Sequence, residues 1–237
     1  MEFDSFEPLL TTGANKLGVE LDGFQARQLY DYFTTLKRWS RKVNLISRSA
    51  SDEEIVELHF LDSLALLNLF HGEPTSLLDV GSGAGFPGLV CKAVRPEMRV
   101  ALVEPRLKRV SFLRHVCRLL GLADMEVHSC RLEERIIPDE SDFRWVVSRA
   151  VAEIGDILTL CGRFREYGSA VVCMKGPGYL EELKTATDAA RGWHLADRKS
   201  YRLPYSGAQR TLLVFRDAES DPAHFETQLD VQDSRKR

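Results

Sequence analysis

The chain divides by the period of its apolar residues. Up to about residue 72 they recur at helical spacing, which predicts three helices at roughly 5–17, 22–42 and 52–70. In the second, Phe24, Leu29, Tyr32, Phe33 and Leu36 share a face; in the third, Ile55, Leu58, Leu61, Leu64 and Leu67 form a stripe. From residue 76 the pattern changes to short apolar runs alternating with amphipathic stretches. Strands are predicted near 76–80, 99–103, 125–128, 144–148 and 169–174, and helices over 87–95, 106–120, 153–165 and 178–190. Two further strands, 194–203 and 209–216, close the sheet as an antiparallel pair. This alternation implies an α/β fold with a Rossmann-like, mostly parallel seven-stranded sheet covered on both faces. The expected organisation is an N-terminal helical extension over 1–72, an α/β domain over 73–217 and a polar tail over 218–237.

The stretch LLDVGSGAGFPGL, 77–89, is the most informative. An apolar run ends in Asp79, then come Gly81, Gly83, Gly85 and Gly88, with Pro87 where a helix begins. Glycines allow a tight turn and close approach of backbone to a ligand, and proline suits a first helical turn. The segment therefore reads as strand, cofactor loop and helix, with an ordinary strand-to-helix turn as the plain alternative. Counted from Gly81, the first glycine after the apolar run, a dinucleotide fingerprint does not fit, because Phe86 stands where the third glycine of G-x-G-x-x-G belongs. No G-K-[ST] follows either, which excludes a P-loop. D-V-G-x-G-x-G instead resembles the cofactor loop of S-adenosylmethionine (SAM) methyltransferases. The next apolar run, RVALVEP at 99–105, carries Glu104 some 20 residues past the loop. A carboxylate there is placed to accept ribose hydroxyls, or else it starts a helix.

Composition changes the picture in two respects. The 237 residues, 44% of them apolar, support one large or two small domains. The five cysteines form no C-x-x-C pair, so neither a zinc site nor a redox dithiol is expected, and the thiols read as buried and reduced. The acidic start MEFDSFEPLL lacks a secretory pattern, and no apolar run approaches membrane-spanning length; a cytoplasmic protein without a membrane partner is expected. Net charge is −3, yet its distribution is uneven. Lys37, Arg38, Arg41, Lys42 and Arg48 fall in an acid-free segment, as do Arg106, Lys108, Arg109, Arg114 and Arg118. The two segments form either a phosphate-facing surface or two solvated helix faces.

Several chemistries are disfavoured. The D/N-P-P-Y/F motif of exocyclic-amine methylation is replaced by VVSRAVAE, with Ser148 and Arg149. Cys173, in VVCMKGPG, follows a valine and reads as a core strand residue rather than a nucleophile. A ring nitrogen with a free lone pair needs neither nucleophile nor general base, only alignment and charge stabilisation.

The ordered set NLISR (44–48), HFLDSL (59–64), LLDVGSGAGFPGL (77–89), LVEPRLKRVSFLR (102–114), RLEE (131–134), SRAVA (148–152) and MKGP (174–177) resembles the RsmG/GidB family of bacterial 16S rRNA guanine-N7 methyltransferases. The resemblance implies a class I SAM-dependent methyltransferase sheet with an N-terminal helical extension, SAM as donor, and small-subunit rRNA or the subunit as partner. It places Gly81, Gly83, Gly85 and Phe86 on the cofactor, Glu104 at its ribose, and Leu132 and Glu133 at its adenosine part. Arg149 falls near cofactor and acceptor, and Lys175 completes the pocket. The first two motifs line the active-site mouth, with Asn44, Arg48, His59, Asp62 and Ser63 as the expected exposed polar members. Asp62 is the candidate carboxylate beside the base, and Arg106, Lys108 and Arg109 are expected on RNA. A monomer is expected. A SAM enzyme for another substrate, and a non-enzymatic ribosome-assembly factor on the same fold, are the alternatives.

Overall fold

A computed structural model of the chain describes residues 1–70, 75–149, 152–186 and 190–220. The expected boundary at 72–73, Ala150 and Val151 of the SRAVA motif, part of the last expected helix (187–189) and residues 221–237 of the expected tail lie outside the described residues.

The chain opens with α1 (Phe3–Lys16) and α2 (Gly23–Ser40). A capping box starts α2: the Asp22 carboxylate accepts the Gln25 N–H at 2.7 Å, and the Gln25 side chain accepts the Asp22 N–H at 2.8 Å. A second box, Ser51 with Glu54, starts α3 (Asp52–Ile55). The single helix expected over 52–70 is not uniform. It passes from α3 into a π-helical turn, Val56–Leu61, then α4 (Asp62–Leu64) and a 3₁₀ turn, Ala65–Leu69. Within the π turn Leu58 of the expected stripe is only half-buried while Val56 and Phe60 are enclosed; Ile55, Leu61, Leu64 and Leu67 of the stripe are buried.

All seven expected strands are present: β1 (Ser76–Val80), β2 (Arg99–Val103), β3 (Met125–His128), β4 (Trp145–Arg149), β5 (Ala170–Lys175), β6 (Trp193–Arg202) and β7 (Gln209–Asp217). They form one sheet in the order β3-β2-β1-β4-β5-β7-β6. The first five are parallel, and β7 runs antiparallel to both β5 and β6. Leu77 and Leu78, consecutive on β1, bury into opposite cores, as a strand covered on both faces requires.

One face is covered by the N-terminal helices together with α5 (Gly88–Val94) and α6 (Leu107–Leu119). The other carries α7 (Ile154–Leu160) and α8 (Tyr179–Thr185). The helix expected over 153–165 ends its α-form at Leu160 and tightens to a 3₁₀ turn, Gly162–Arg165, where a glycine weakens helix propagation. The N-terminal helices share a core with the sheet: Tyr32 stacks on Phe86 at 5.3 Å, and Phe60 meets the same ring edge-on at 5.2 Å. The loop between β6 and β7 docks on them too, since Glu57 accepts the N–H groups of Tyr205 and Ser206 at 2.6 and 2.8 Å. The strand order reverses between β1 and β4, and the crevice at their carboxyl ends is where such sheets bind ligands.

Candidate functional site

The glycine loop leaves β1 at that crevice. Gly81, Gly83 and Gly85 have φ of +70°, +60° and +96°, conformations that favour glycine. Gly81 and Ser82 both donate to the carbonyl of Val103, so the loop is pinned to the end of β2. Gly85 is also sterically required: a Cβ there would lie 2.3 Å from Leu89 Cδ1 and 2.9 Å from the Tyr32 hydroxyl. The Tyr32 hydroxyl donates to the Ala84 carbonyl, which ties α2 to the loop. At Gly83 a built Cβ would meet nothing closer than Arg109 Nη1 at 3.7 Å, an ordinary van der Waals distance.

Glu104 is buried at the end of β2. Its Oε2 accepts the Gly83 N–H at 3.0 Å and its Oε1 accepts the Arg106 N–H at 2.8 Å. Arg109 Nη1 lies 3.6 Å from Oε2. Each carboxylate oxygen keeps a further lone pair for a ligand hydroxyl. Asp79 is fully buried beneath the loop, its Oδ2 accepting the Gly88 N–H at 2.8 Å. Burial pushes its carboxyl up to about 7; the Gly88 hydrogen bond and the Arg149 charge oppose that shift, and Glu104 adds to it. Asp79 Oδ1, Ser82 Oγ and Ser148 Oγ are buried at the ends of β1 and β4 without a protein partner. Unpartnered polar atoms in such a crevice call for a ligand rich in hydrogen-bonding groups. An amino-acid and ribose-bearing cofactor fits this lining.

A second cluster joins the helical layer to the sheet. Arg149, at the end of β4, donates through Nη1 to the Leu58 carbonyl at 2.8 Å and to Asp62 Oδ2 at 3.2 Å. Its Nη2 lies 3.2 Å from His59 Nδ1, and its guanidinium sits 5.4 Å from the Phe86 ring centroid. The His59 ring stacks on Phe86 at 5.0 Å. Burial and the Arg149 charge together lower the His59 imidazole to about 3. Asp62 Oδ1 accepts the Tyr201 hydroxyl at 2.7 Å, and Arg210 Nε lies 3.6 Å away. Burial, together with the neighbouring Asp62 carboxylate, raises the Tyr201 phenol.

The structure corrects several expectations. Asp62 and Ser63 are buried rather than exposed: Tyr201 and Arg210 of the last two strands close on Asp62, while Ser63 Oγ donates to the His59 carbonyl at 2.5 Å and its own carbonyl faces Cys91 of α5. The Lys175 ammonium is held by the Ala152 carbonyl at 2.7 Å and Glu182 at 2.6 Å. Arg109 is shared within the protein, since beside Glu104 it also donates to the Asn44 carbonyl at 3.3 and 3.2 Å. Leu132 is enclosed in the core, whereas Glu133 is exposed beside it. Asn44, Arg48, Arg106 and Lys108 are exposed. The Arg109–Asn44 contact brings the two basic segments together, and Lys42, Val43, Asn44, Arg106, Lys108 and Arg109 line a cleft of about 430 Å³. Tyr201 and Arg210 carry no sequence signal for this site: both lie in ordinary alternating strand patterns, far along the chain from Asp62. All five cysteines are free. Cys173 is fully buried, its thiol pushed up to about 12 by desolvation. Among the described residues no cluster could hold a metal ion, and no helix is long and apolar enough to cross a membrane.

Comparison with known proteins agrees with the architecture. A family model described as GidB, rRNA small subunit methyltransferase G, matches residues 25–211. The ribosomal RNA small subunit methyltransferase G of Desulfotalea psychrophila is 45% identical over 221 residues, covering 91% of this chain and 100% of the relative. That of Geotalea uraniireducens is 37% identical over 89% of this chain and 96% of the relative. Among solved structures, the ribosomal protein L11 methylase of Lactobacillus delbrueckii subsp. bulgaricus aligns with a TM-score of 0.50 at 17% identity, over 68% of this chain and 79% of that one. TrmN from Thermus thermophilus gives 0.50 at 18% identity, over 66% and 48%. These two likenesses concern the fold.

Proposed function

The chain belongs to the GidB family, rRNA small subunit methyltransferase G, and from that membership we propose that it transfers the methyl group of SAM to N7 of a guanine in 16S rRNA. The observation that carries the cofactor assignment is the cradle at the switch point: the positive-φ glycine loop, the Gly83 N–H fixed by Glu104, and buried unpartnered oxygens on Asp79, Ser82 and Ser148. When bound, SAM supplies a methyl on a positively charged sulfur, which passes to a ring-nitrogen lone pair as the S–C bond breaks.

The residues contribute positioning. Gly81, Gly83, Gly85 and Phe86 shape the cradle, Glu104 accepts ribose hydroxyls, and Leu132 and Glu133 lie along the adenosine side. Guanine N7 carries no proton to remove, so no general base is required. A thiol as deeply buried as Cys173 is unsuited to attack. Lys42, Asn44, Arg106 and Lys108 present an exposed polar and basic surface at the cleft, and Arg48 is exposed on the same N-terminal basic segment; such a surface suits an RNA backbone. The protein acts as a monomer in the cytoplasm, on the small subunit, its RNA or an assembly intermediate.

The test is product analysis. Small-subunit RNA lacking the modification is incubated with the protein and methyl-labelled SAM, then treated with borohydride and aniline, which cleave at N7-methylguanine. Cleavage at one guanine supports the reading. Label resistant to cleavage would leave a methyltransferase of a different base atom, and no label in RNA would remove the substrate class.

A further inference from the structure

The Arg149–His59 contact has a chemical consequence that geometry alone dictates. A guanidinium has donors only. With Arg149 Nη2 3.2 Å from His59 Nδ1, that nitrogen must accept, so the imidazole is neutral and its proton sits on Nε2. Two neighbours keep this arrangement rigid. Asp62 pairs with Arg149 at 3.2 Å from its own turn of helix, and Tyr201 on β6 holds the other oxygen of Asp62 at 2.7 Å. Phe86 supports the face of the ring at 5.0 Å. Among the described residues no acceptor takes the Nε2 proton, and the side chain is only partly buried.

Resting on the guanine-N7 reading, we propose that His59 is a base-recognition residue: Arg149 locks it in the Nε2–H tautomer, and it donates a hydrogen bond to O6 of the target guanine. The major-groove edge of guanine offers two acceptors, N7 and O6. N7 is the reacting atom, so O6 is the acceptor left for recognition. A neutral donor suits this place better than an imidazolium, because N7 methylation puts positive charge on the base. The charge acting on the ring comes from Arg149 on β4; Asp62 on the ring's own helical run is paired with that arginine, Tyr201 and Arg210 lie behind Asp62, and the glycine loop contributes the uncharged Phe86. The arrangement makes Arg149 a positioning residue rather than a phosphate anchor.

Two measurements on the full chain test the assignment. The first is the tautomer, read by long-range ¹H–¹⁵N correlation on histidine-labelled protein, with His59 identified by the signal lost in His59→Gln. The expected pattern is a single neutral Nε2–H form at pH 7, replaced in Arg149→Met by exchanging tautomers. If Arg149→Met does not fold, the wild-type spectrum alone decides: a proton on Nδ1, or a charged ring, overturns the proposal. The second uses rRNA carrying guanine or 2-aminopurine, which keeps N7 but lacks O6, at the methylated position. Wild-type kcat/KM should favour guanine by about 10-fold or more. His59→Leu should abolish that preference by slowing guanine alone. His59→Gln, which carries an amide N–H near the place of Nε2–H, should recover part of it. Equal slowing on both bases would overturn the role of His59 while leaving the methyltransferase reading intact. If the product on guanine is not N7-methylated, it is the underlying reading that fails.

Discussion

Glu104 accepts the main-chain N–H of Gly83 across 3.0 Å, from the end of one strand to the loop that follows its neighbour. The same carboxylate accepts the Arg106 N–H at the entry to α6. One buried acid therefore sets the shape of the glycine loop and the start of a helix together.

Replacing Glu104 by glutamine should separate those tasks from packing. The amide keeps the volume but offers one acceptor oxygen where two main-chain donors converge, and it loses the charge facing Arg109. SAM affinity should weaken by about 1–3 kcal/mol. Calorimetric titration checks this, and unchanged affinity would move the cofactor elsewhere.

The loop glycines should differ in kind. Gly83→Ala places a Cβ at no less than 3.7 Å from its neighbours, without a clash, at a φ of +60° and a strain of about 1–2 kcal/mol, and should fold yet lose SAM affinity. Gly85→Ala meets Leu89 at 2.3 Å and Tyr32 at 2.9 Å, so its loss should appear in the melting temperature. Melting curves paired with SAM titrations on the two variants distinguish the effects; a Gly85→Ala protein as stable as wild type would refute the packing.

Asp79 should leave a signature in the pH dependence of stability. Its folded carboxyl sits near 7, above the unfolded value of about 4, so the folded state holds the proton more tightly across that interval. Its contribution is favourable below about pH 4 and is lost as pH rises through 7. Asp79→Asn removes the titration. The stability of the variant relative to wild type should therefore rise between pH 4 and 7, as followed by urea unfolding; a flat difference would show that Asp79 titrates normally.

The basic surface should divide into working and structural cations. Arg38, Lys42, Arg106 and Lys108 are exposed, whereas Lys37 is paired with Asp52 and Arg109 with Glu104. Neutralising each exposed residue should flatten the log–log salt dependence of RNA binding by about 0.7–0.9. Lys37→Gln should leave the slope unchanged. Filter binding over a salt series reads both outcomes.

Cys173→Ala should retain methyl transfer and form no RNA adduct, since the thiol is enclosed and pushed up to about 12. A trapped Cys173–RNA species in mass spectra would overturn the mechanism.

What could be read from the chain follows from how local each signal is. SLLDV and RVALV announce buried strands because an interior parallel strand is apolar on both faces. The alternate glycines announce their loop because only such residues take positive φ freely. Those features determined the fold, the cofactor crevice and the place of Glu104. Burial of Asp62 was decided by tertiary structure, since the strands that close on it arrive more than a hundred residues later. So were the turn of Lys175 toward Glu182, the pairing of Arg109 with both Glu104 and Asn44, and the hold of Arg149 on His59. A charged side chain pairs with whatever the completed fold brings within about 4 Å, and hydrophobic periodicity carries no information about that partner. The sequence by itself determined which residues could carry the chemistry, and only the packed sheet and helices decided which of them are free to act.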